Sequence, residues 1–229
     1  MTSTTLPVRS SLRPSRRGGT HNKGRKFPIE PVRNDDFARL LAVCVPQGAG
    51  RRYEISAARL RALMVVLYRS GLRVSEALDL VESDLDRDRG SVLVRNGKGG
   101  KRRLAMMDEW AWTEVDRWLL IRDQLKPGAL FPIITGPRAG EPLSACDVRR
   151  QLRGARDRAG LRIRGNAHSF RHGFAIGVKS EIGDLLTLQR ALGHSSPAVT
   201  AIYLTGIGEL EALEPIRKRA VPTIAIPHG

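Results

Sequence analysis

The apolar residues change their period once along the chain, between residues 84 and 107, and this change constrains the fold more than any other feature. Before it the spacing is helical. Leu60, Leu63, Met64 and Leu67 stand at i, i+3, i+4 and i+7, the repeat of one buried helix face. They predict a helix opened by Ser56, running to about Arg69 and ended by Gly71. Within the change, residues 84–88, 91–95 and 102–107 read as three short strands. The stretch NGKGG between the last two is a hairpin signal, rich in residues that tolerate positive φ. After it, helical spacing returns. The expected fold is mainly α with a small three-stranded antiparallel sheet, an α+β arrangement.

The other helices follow from local signals. Asn34 or Asp35 can cap a helix carrying Phe37, Leu40, Leu41 and Cys44, followed by a Gly- and Pro-containing loop over 46–52. A short helix is expected over 75–80 and a longer one over 110–125. Ser144 with Asp147 resembles a capping box and opens a helix to about Ala159. Further helices are predicted at about 169–178, 184–192, 197–204 and 208–218. Trp110, Trp112 and Trp118 read as packing residues.

Charge narrows the partners. Lys and Arg number 39 against 23 Asp and Glu, a formal charge of +16 in 229 residues. An excess of this size points to a polyanion, with nucleic acid favoured over an anionic membrane. No apolar run approaches the roughly 18 residues that span a bilayer, and the N-terminus lacks a hydrophobic signal core. Cys44 and Cys146 form neither a disulfide framework nor a metal-ligand cluster. A cytoplasmic, nucleoid-associated protein is expected. Residues 1–27 contain seven cationic side chains, no acid and little to bury. They read as a flexible basic arm, followed by a domain over 28–219 and a tail over 220–229.

The chemistry-bearing residues fall in four stretches. GLRVSEAL puts Arg73 before a helix start with Glu76 three positions on, among apolar neighbours. This predicts a partly buried guanidinium held by an acid. GKGGKRR puts Lys98 at a hairpin tip, with Lys101 and Arg102 behind it. HSFRHGFA puts His168 and Arg171 one helical turn apart, with His172 pointing to another side. LGHSS puts His194 on a turn; Ser196 and Pro197 are good first residues of a helix that carries Tyr203. Singly, each has an ordinary reading as a core tyrosine or a surface charge. Together they suit phosphoryl transfer without a metal. Guanidinium groups clamp the non-bridging oxygens and stabilise charge in the transition state. A tyrosine serves as nucleophile, a histidine takes its proton, and a lysine protonates the leaving oxygen.

These four motifs, in this order, resemble the tyrosine recombinase (phage integrase) family. The spacing of 23 from Arg171 to His194 (194 − 171) and of 9 from His194 to Tyr203 (203 − 194) also matches. The resemblance spans about residues 28–217. It implies that Tyr203 attacks the scissile phosphate, leaving a 3′-phosphotyrosyl bond and a 5′-hydroxyl. Arg73 and Arg171 would hold the phosphate, His194 would hydrogen-bond it, and His168 would act as general base. Lys98 would be the general acid, with Lys101 as its rival. Glu76 would orient the arginine pocket from behind. No cofactor and no metal are implied.

The resemblance also implies double-stranded DNA as partner. A helix beginning at Ser144 would enter the major groove with Arg149, Arg150, Arg153 and Arg156, joined by Lys101 and Arg102. The protein would be a monomer when free and a tetramer on two paired sites, with a possible accessory DNA-bending protein. Phe170 and Gly173 stand where the family more often has leucine and Ser or Thr. Only the basic arm precedes the catalytic region, as in the small invertases that lack a core-binding domain, or as in a fragment of a longer enzyme. Site-specific recombination is the expected function, whether integration, excision, inversion or resolution. DNA relaxation in the manner of a type IB topoisomerase and a non-catalytic DNA-binding regulator are the alternatives.

Overall fold

The computed structural model describes residues 30–97, 100 and 102–193. Its elements are α1 (Asn34–Ala42), α2 (Arg51–Ser70), α3 (Val74–Leu78), a single 3-10 turn (Glu82–Asp84), β1 (Leu85–Asp86), β2 (Ser91–Val94), β3 (Arg103–Met106), α4 (Glu109–Arg122), α5 (Ala145–Arg158), α6 (Ala167–Ile182) and α7 (Leu185–Leu192). The fold is mainly helical with one three-stranded antiparallel sheet in the order β1-β2-β3, as the change of period predicts. Among the described residues, no helix is long and apolar enough to cross a membrane.

The central element is α2. Leu63, Met64, Val65, Val66 and Leu67 are all fully buried, so the second half of this helix is covered on every side rather than on one stripe, while Arg51, Arg52 and Glu54 of its first turn are exposed. It packs against α4 and α6 and touches β3. Trp112 and Trp118 of α4 are each 1% exposed, and the Trp118 indole donates to the Leu130 carbonyl at 3.0 Å. Both are packing residues. Trp110 is more open, with its ring edge against Phe37 at 6.2 Å between centroids.

The sheet alternates as a half-buried sheet should. Val92 and Val94 of β2 and Ala105 of β3 face inward, while Leu104 and Met106 are 59% and 58% exposed. Val94 pairs with Arg103 and Val92 with Ala105. Arg103 therefore stands on the inner face, next to the residues that carry the site.

Several boundaries differ from the sequence reading. The second helix starts at Arg51 rather than Ser56, because Gly50 takes φ +100° and turns the chain into the helix five residues early. The third covers Val74–Leu78 instead of 75–80, since the Glu76 carboxylate accepts the Arg73 N–H and fixes the start. The first strand is only Leu85–Asp86, because Asp84 belongs to the 3-10 turn and receives the Val81 N–H. The fourth helix covers Glu109–Arg122, capped by the Asp108 side chain. The sixth begins at Ala167, not 169, because the Asn166 side chain accepts from the N–H groups of His168 and Ser169. It runs on to Ile182, where Gly183 adopts the left-handed conformation. The cap at Ser144 and the helix it opens stand as expected. The arm over 1–27, Lys98, Lys101, His194, Tyr203, the helices expected at 197–204 and 208–218, and the tail lie outside the described residues.

Gly173 has a structural reason. The Val32 N–H donates to the Ser169 carbonyl at 3.0 Å, so the chain before α1 lies across α6. A Cβ at Gly173 would stand 2.1 Å from the Val32 carbonyl oxygen. Phe170 fills the space beside it and meets Phe37 and Tyr68 edge-on at 6.4 and 6.5 Å.

Candidate active site

The site begins at the end of α2. Gly71 takes φ +62°, which ends the helix and turns the chain back. Its carbonyl is left pointing at α6, where Arg171 Nη1 donates to it at 2.5 Å. Two residues on, Arg73 is the extended residue before α3. Its N–H reaches Glu76 Oε2 at 2.8 Å and its Nη1 reaches Oε1 at 2.7 Å. The partly buried guanidinium held by an acid is therefore present.

Glu76 is 3% exposed. Burial alone would raise its pKa. The Arg73 N–H, the charge of Arg103 and the guanidinium bonds from both arginines outweigh that and hold it below the usual carboxylate range. Arg103 Nη2 lies 2.8 Å from Oε2. One buried carboxylate thus serves two arginines, and one of them, Arg103, is absent from the sequence-based site. The signal that could have found it is the strand alternation, which puts residue 103 on the same face as Ala105.

Arg171 is 1% exposed. Besides the Gly71 carbonyl, it reaches the Leu192 carbonyl through Nη2 at 2.5 Å. Its guanidinium is thus fixed between the end of α2 and the end of α7. His168, one turn earlier on α6, is exposed. Its pKa is lowered by partial desolvation, then by the charges of Arg171 and Arg73. The imidazole is therefore held toward its neutral, proton-accepting form, and it lies close enough to both arginines to feel them. His172 is buried and its pKa is lowered by that burial. Glu76, Arg73, Arg171 and His168 come together.

Beside His168 opens a cationic pocket of about 470 Å³, lined among others by Arg149, Arg153, Arg156, Arg164 and Asn166. Arg149 and Arg153 form no ion pair among the described residues, whereas Arg156 pairs with Asp157 at 2.5 Å. Arg150 is on another flank of α5: it pairs with Asp147 at 2.5 Å and faces the pocket walls formed by Gln151 and Tyr53. The three arginines expected on one face of the helix, Arg149, Arg153 and Arg156, line this pocket together, and Arg150, expected nearby, stands apart from them. Arg102 is exposed at the foot of β3. Among the described residues no His, Cys, Asp and Glu cluster could hold a metal ion.

Known proteins match this chain across the described site. The phage integrase family matches residues 32–206. Tyrosine recombinase XerC of Mesorhizobium japonicum is 38% identical over 159 residues, 69% of this chain and 50% of that protein. Tyrosine recombinase XerD of Caulobacter vibrioides is 34% identical over 203 residues, 86% of this chain and 63% of that protein. The chain is therefore similar to only half to under two thirds of the length of these relatives. A crystal structure of the XerH site-specific recombinase bound to a palindromic difH substrate, a post-cleavage complex, superposes with a TM-score of 0.66 and 25% identity, covering 86% of this chain and 55% of that one. With its ordered motifs, its helical fold around a three-stranded sheet and this match over most of its length, the chain belongs to the phage integrase family.

Proposed function

We propose that this chain is a site-specific DNA recombinase that cuts and rejoins DNA through a 3′-phosphotyrosyl intermediate. The observation that carries the reading is that His168, which lines the cationic pocket, lies near both Arg171, one turn on along α6, and Arg73, with the buried Glu76 holding Arg73. In this reading Tyr203 attacks the phosphorus and displaces the 5′-oxygen. His168 takes the tyrosine proton, and Arg73, Arg171 and His194 stabilise charge on the non-bridging oxygens. Lys98 delivers a proton to the 5′-oxygen, with Lys101 the rival. The phosphodiester energy is retained in the protein–DNA bond, so attack by a 5′-hydroxyl reverses the step without ATP. Arg149, Arg153 and Arg156 meet the duplex through α5, phosphate contacts giving affinity and base contacts specificity.

The XerH structure, captured on DNA, supports a duplex partner. A tetramer on two paired sites completes the proposal. An apolar groove of about 620 Å³ between β3, α6 and α7, edged by Leu104, Met106 and Ile182, suits the segment 208–218 of a second copy, which has Leu210, Leu213 and Ile216 near helical spacing.

The deciding experiment uses a duplex first selected by this protein from a random pool, then nicked so that cleavage cannot reverse. Wild type should form a covalent adduct. Tyr203→Phe should form none while binding nearly as well, because only a hydroxyl is lost. An adduct with the Phe variant removes Tyr203 as nucleophile.

A further inference from the structure

An α-helix leaves its last four carbonyls without partners inside the helix. In α7 these are the carbonyls of residues 189–192, and the structure answers all four. The Gly193 N–H serves Gln189 and Arg190. Arg171 Nη2 serves Leu192 at 2.5 Å, and Arg103 Nη1 serves Ala191 at 3.0 Å. Two cations from distant elements thus cap one short helix, where its dipole also favours positive charge.

The two arginines differ in what else they hold. Arg171 ties the end of α7 to Gly71. Arg103 ties it to Glu76, which in turn holds Arg73. Since Gly71 and Arg73 are two residues apart, the contacts close a ring through four segments of the chain. Arg103 also touches the next residue. At Gly193, φ +62°, a Cβ would lie 2.6 Å from Arg103 Cδ and 2.8 Å from Nε. The backbone that continues into His194 therefore lies directly on this side chain, and glycine at 193 makes the approach possible.

We infer that Arg103 is a positioning residue: it fixes the C-terminal end of α7, and with it the start of the segment leading to His194 and Tyr203, against the Arg73–Glu76 pair. This rests on the recombinase reading above. The geometry demands a fork. Arg103 bonds Glu76 through Nη2 and Ala191 through Nη1. A lysine ammonium is a compact point charge on a flexible stem and meets one acceptor well, not both.

The test uses the full chain with Arg103→Ala and Arg103→Lys. Three quantities are measured: binding of the selected duplex, the single-turnover rate of adduct formation at saturating DNA, and amide hydrogen exchange over α7 with α2 as reference. For Arg103→Ala we expect binding within about twofold and an adduct rate lower by roughly a hundredfold, the scale of a misplacement of about 1 Å. Exchange should quicken across α7 and stay unchanged in α2. Arg103→Lys should fall between wild type and Ala. A merely structural role would lower the reactive fraction, read from the end point, without slowing the reacting molecules. If Arg103→Ala loosens α2 as well, Arg103→Lys carries the decision: a wild-type rate with unchanged α7 exchange overturns the inference. A wild-type rate for Arg103→Ala overturns it too. A wild-type protein that forms no adduct overturns the recombinase reading itself, and α7 exchange then decides whether Arg103 holds the helix.

Discussion

Gly173→Ala sets local and tertiary preferences against each other. In the interior of a helix, alanine is favoured over glycine by about 1 kcal/mol. On that ground alone the variant is more stable than wild type. The structure reverses the sign. The new methyl would lie 2.1 Å from the Val32 carbonyl oxygen and 2.9 Å from the Tyr68 ring. Neither neighbour yields freely. Val32 is fully buried and its N–H is bonded to the Ser169 carbonyl. Tyr68 is stacked on Phe37 at 4.0 Å and its hydroxyl donates to Asn34 Oδ1 at 2.7 Å. Overpacking of this kind costs about 1–3 kcal/mol, and pulling the Val32 segment away loses a hydrogen bond of about 0.5–1.5 kcal/mol. After the propensity gain, a net destabilisation of about 2 kcal/mol remains. For a domain of this size that lowers Tm by about 4–8 °C. Gly177 on the same helix is the control. The nearest atom to a Cβ there is Glu181 Oε1 at 3.9 Å, so Gly177→Ala should stabilise by up to about 1 kcal/mol. Thermal unfolding of the two variants by circular dichroism checks the pair. If Gly173→Ala melts at or above wild type, the packing of residue 32 across α6 is wrong.

Glu76→Ala should destabilise by about 3–5 kcal/mol, because it leaves two guanidinium groups without the carboxylate that pairs them; denaturant unfolding measures it. Glu76 has a depressed folded pKa, so its contribution is present above its ordinary value of 4.5 and lost as pH falls through the lower folded value. Glu76→Gln should accordingly flatten that part of the acid-unfolding curve. His168 has a pKa below 6.5, so the adduct rate should hold level from neutral pH down to that value and fall only beyond it; an acid limb centred higher would remove it as the base. Arg149→Ala and Arg153→Ala should each make log affinity against log salt shallower by about 0.9, and Arg150→Ala by less, since Arg150 is already paired with Asp147; equal slopes for all three would place Arg150 on the duplex. Lys98→Ala should slow cleavage of ordinary DNA by about 10²–10⁴-fold and be rescued by a 5′-bridging sulfur, and the same comparison on Lys101→Ala decides between the two lysines.

What was legible in the sequence is what acts over a few residues. The buried face of α2 that carries Leu60, Leu63, Met64 and Leu67 and the alternation of β2 and β3 are written in apolar spacing, whereas the burial of Val65 and Val66 on the other sides of α2 comes from tertiary packing. The capping at Ser144 and the pairing of Arg73 with Glu76 each span three positions, which one helical turn brings together. The order of the four motifs pointed to the family, because its chemistry uses side chains that motif spacing preserves. Other features came only from tertiary structure. Arg103 reads as one more cation in a basic hairpin until β3 pairs with β2 and brings it to Glu76, 27 residues away, and to Ala191, 88 residues away. Arg171 reads as a phosphate clamp, yet its guanidinium is also fixed by carbonyls 100 and 21 residues distant. Gly173 reads as a weak spot in a helix until Val32 is laid across it. Local rules report the competition between a residue and its near neighbours for backbone hydrogen bonds and one buried face. They carry no information on which distant carbonyl or carboxylate a buried cation will meet, because that partner is chosen by how the helices and sheet pack, and each cation taken from water must then find its acceptors where packing has put them.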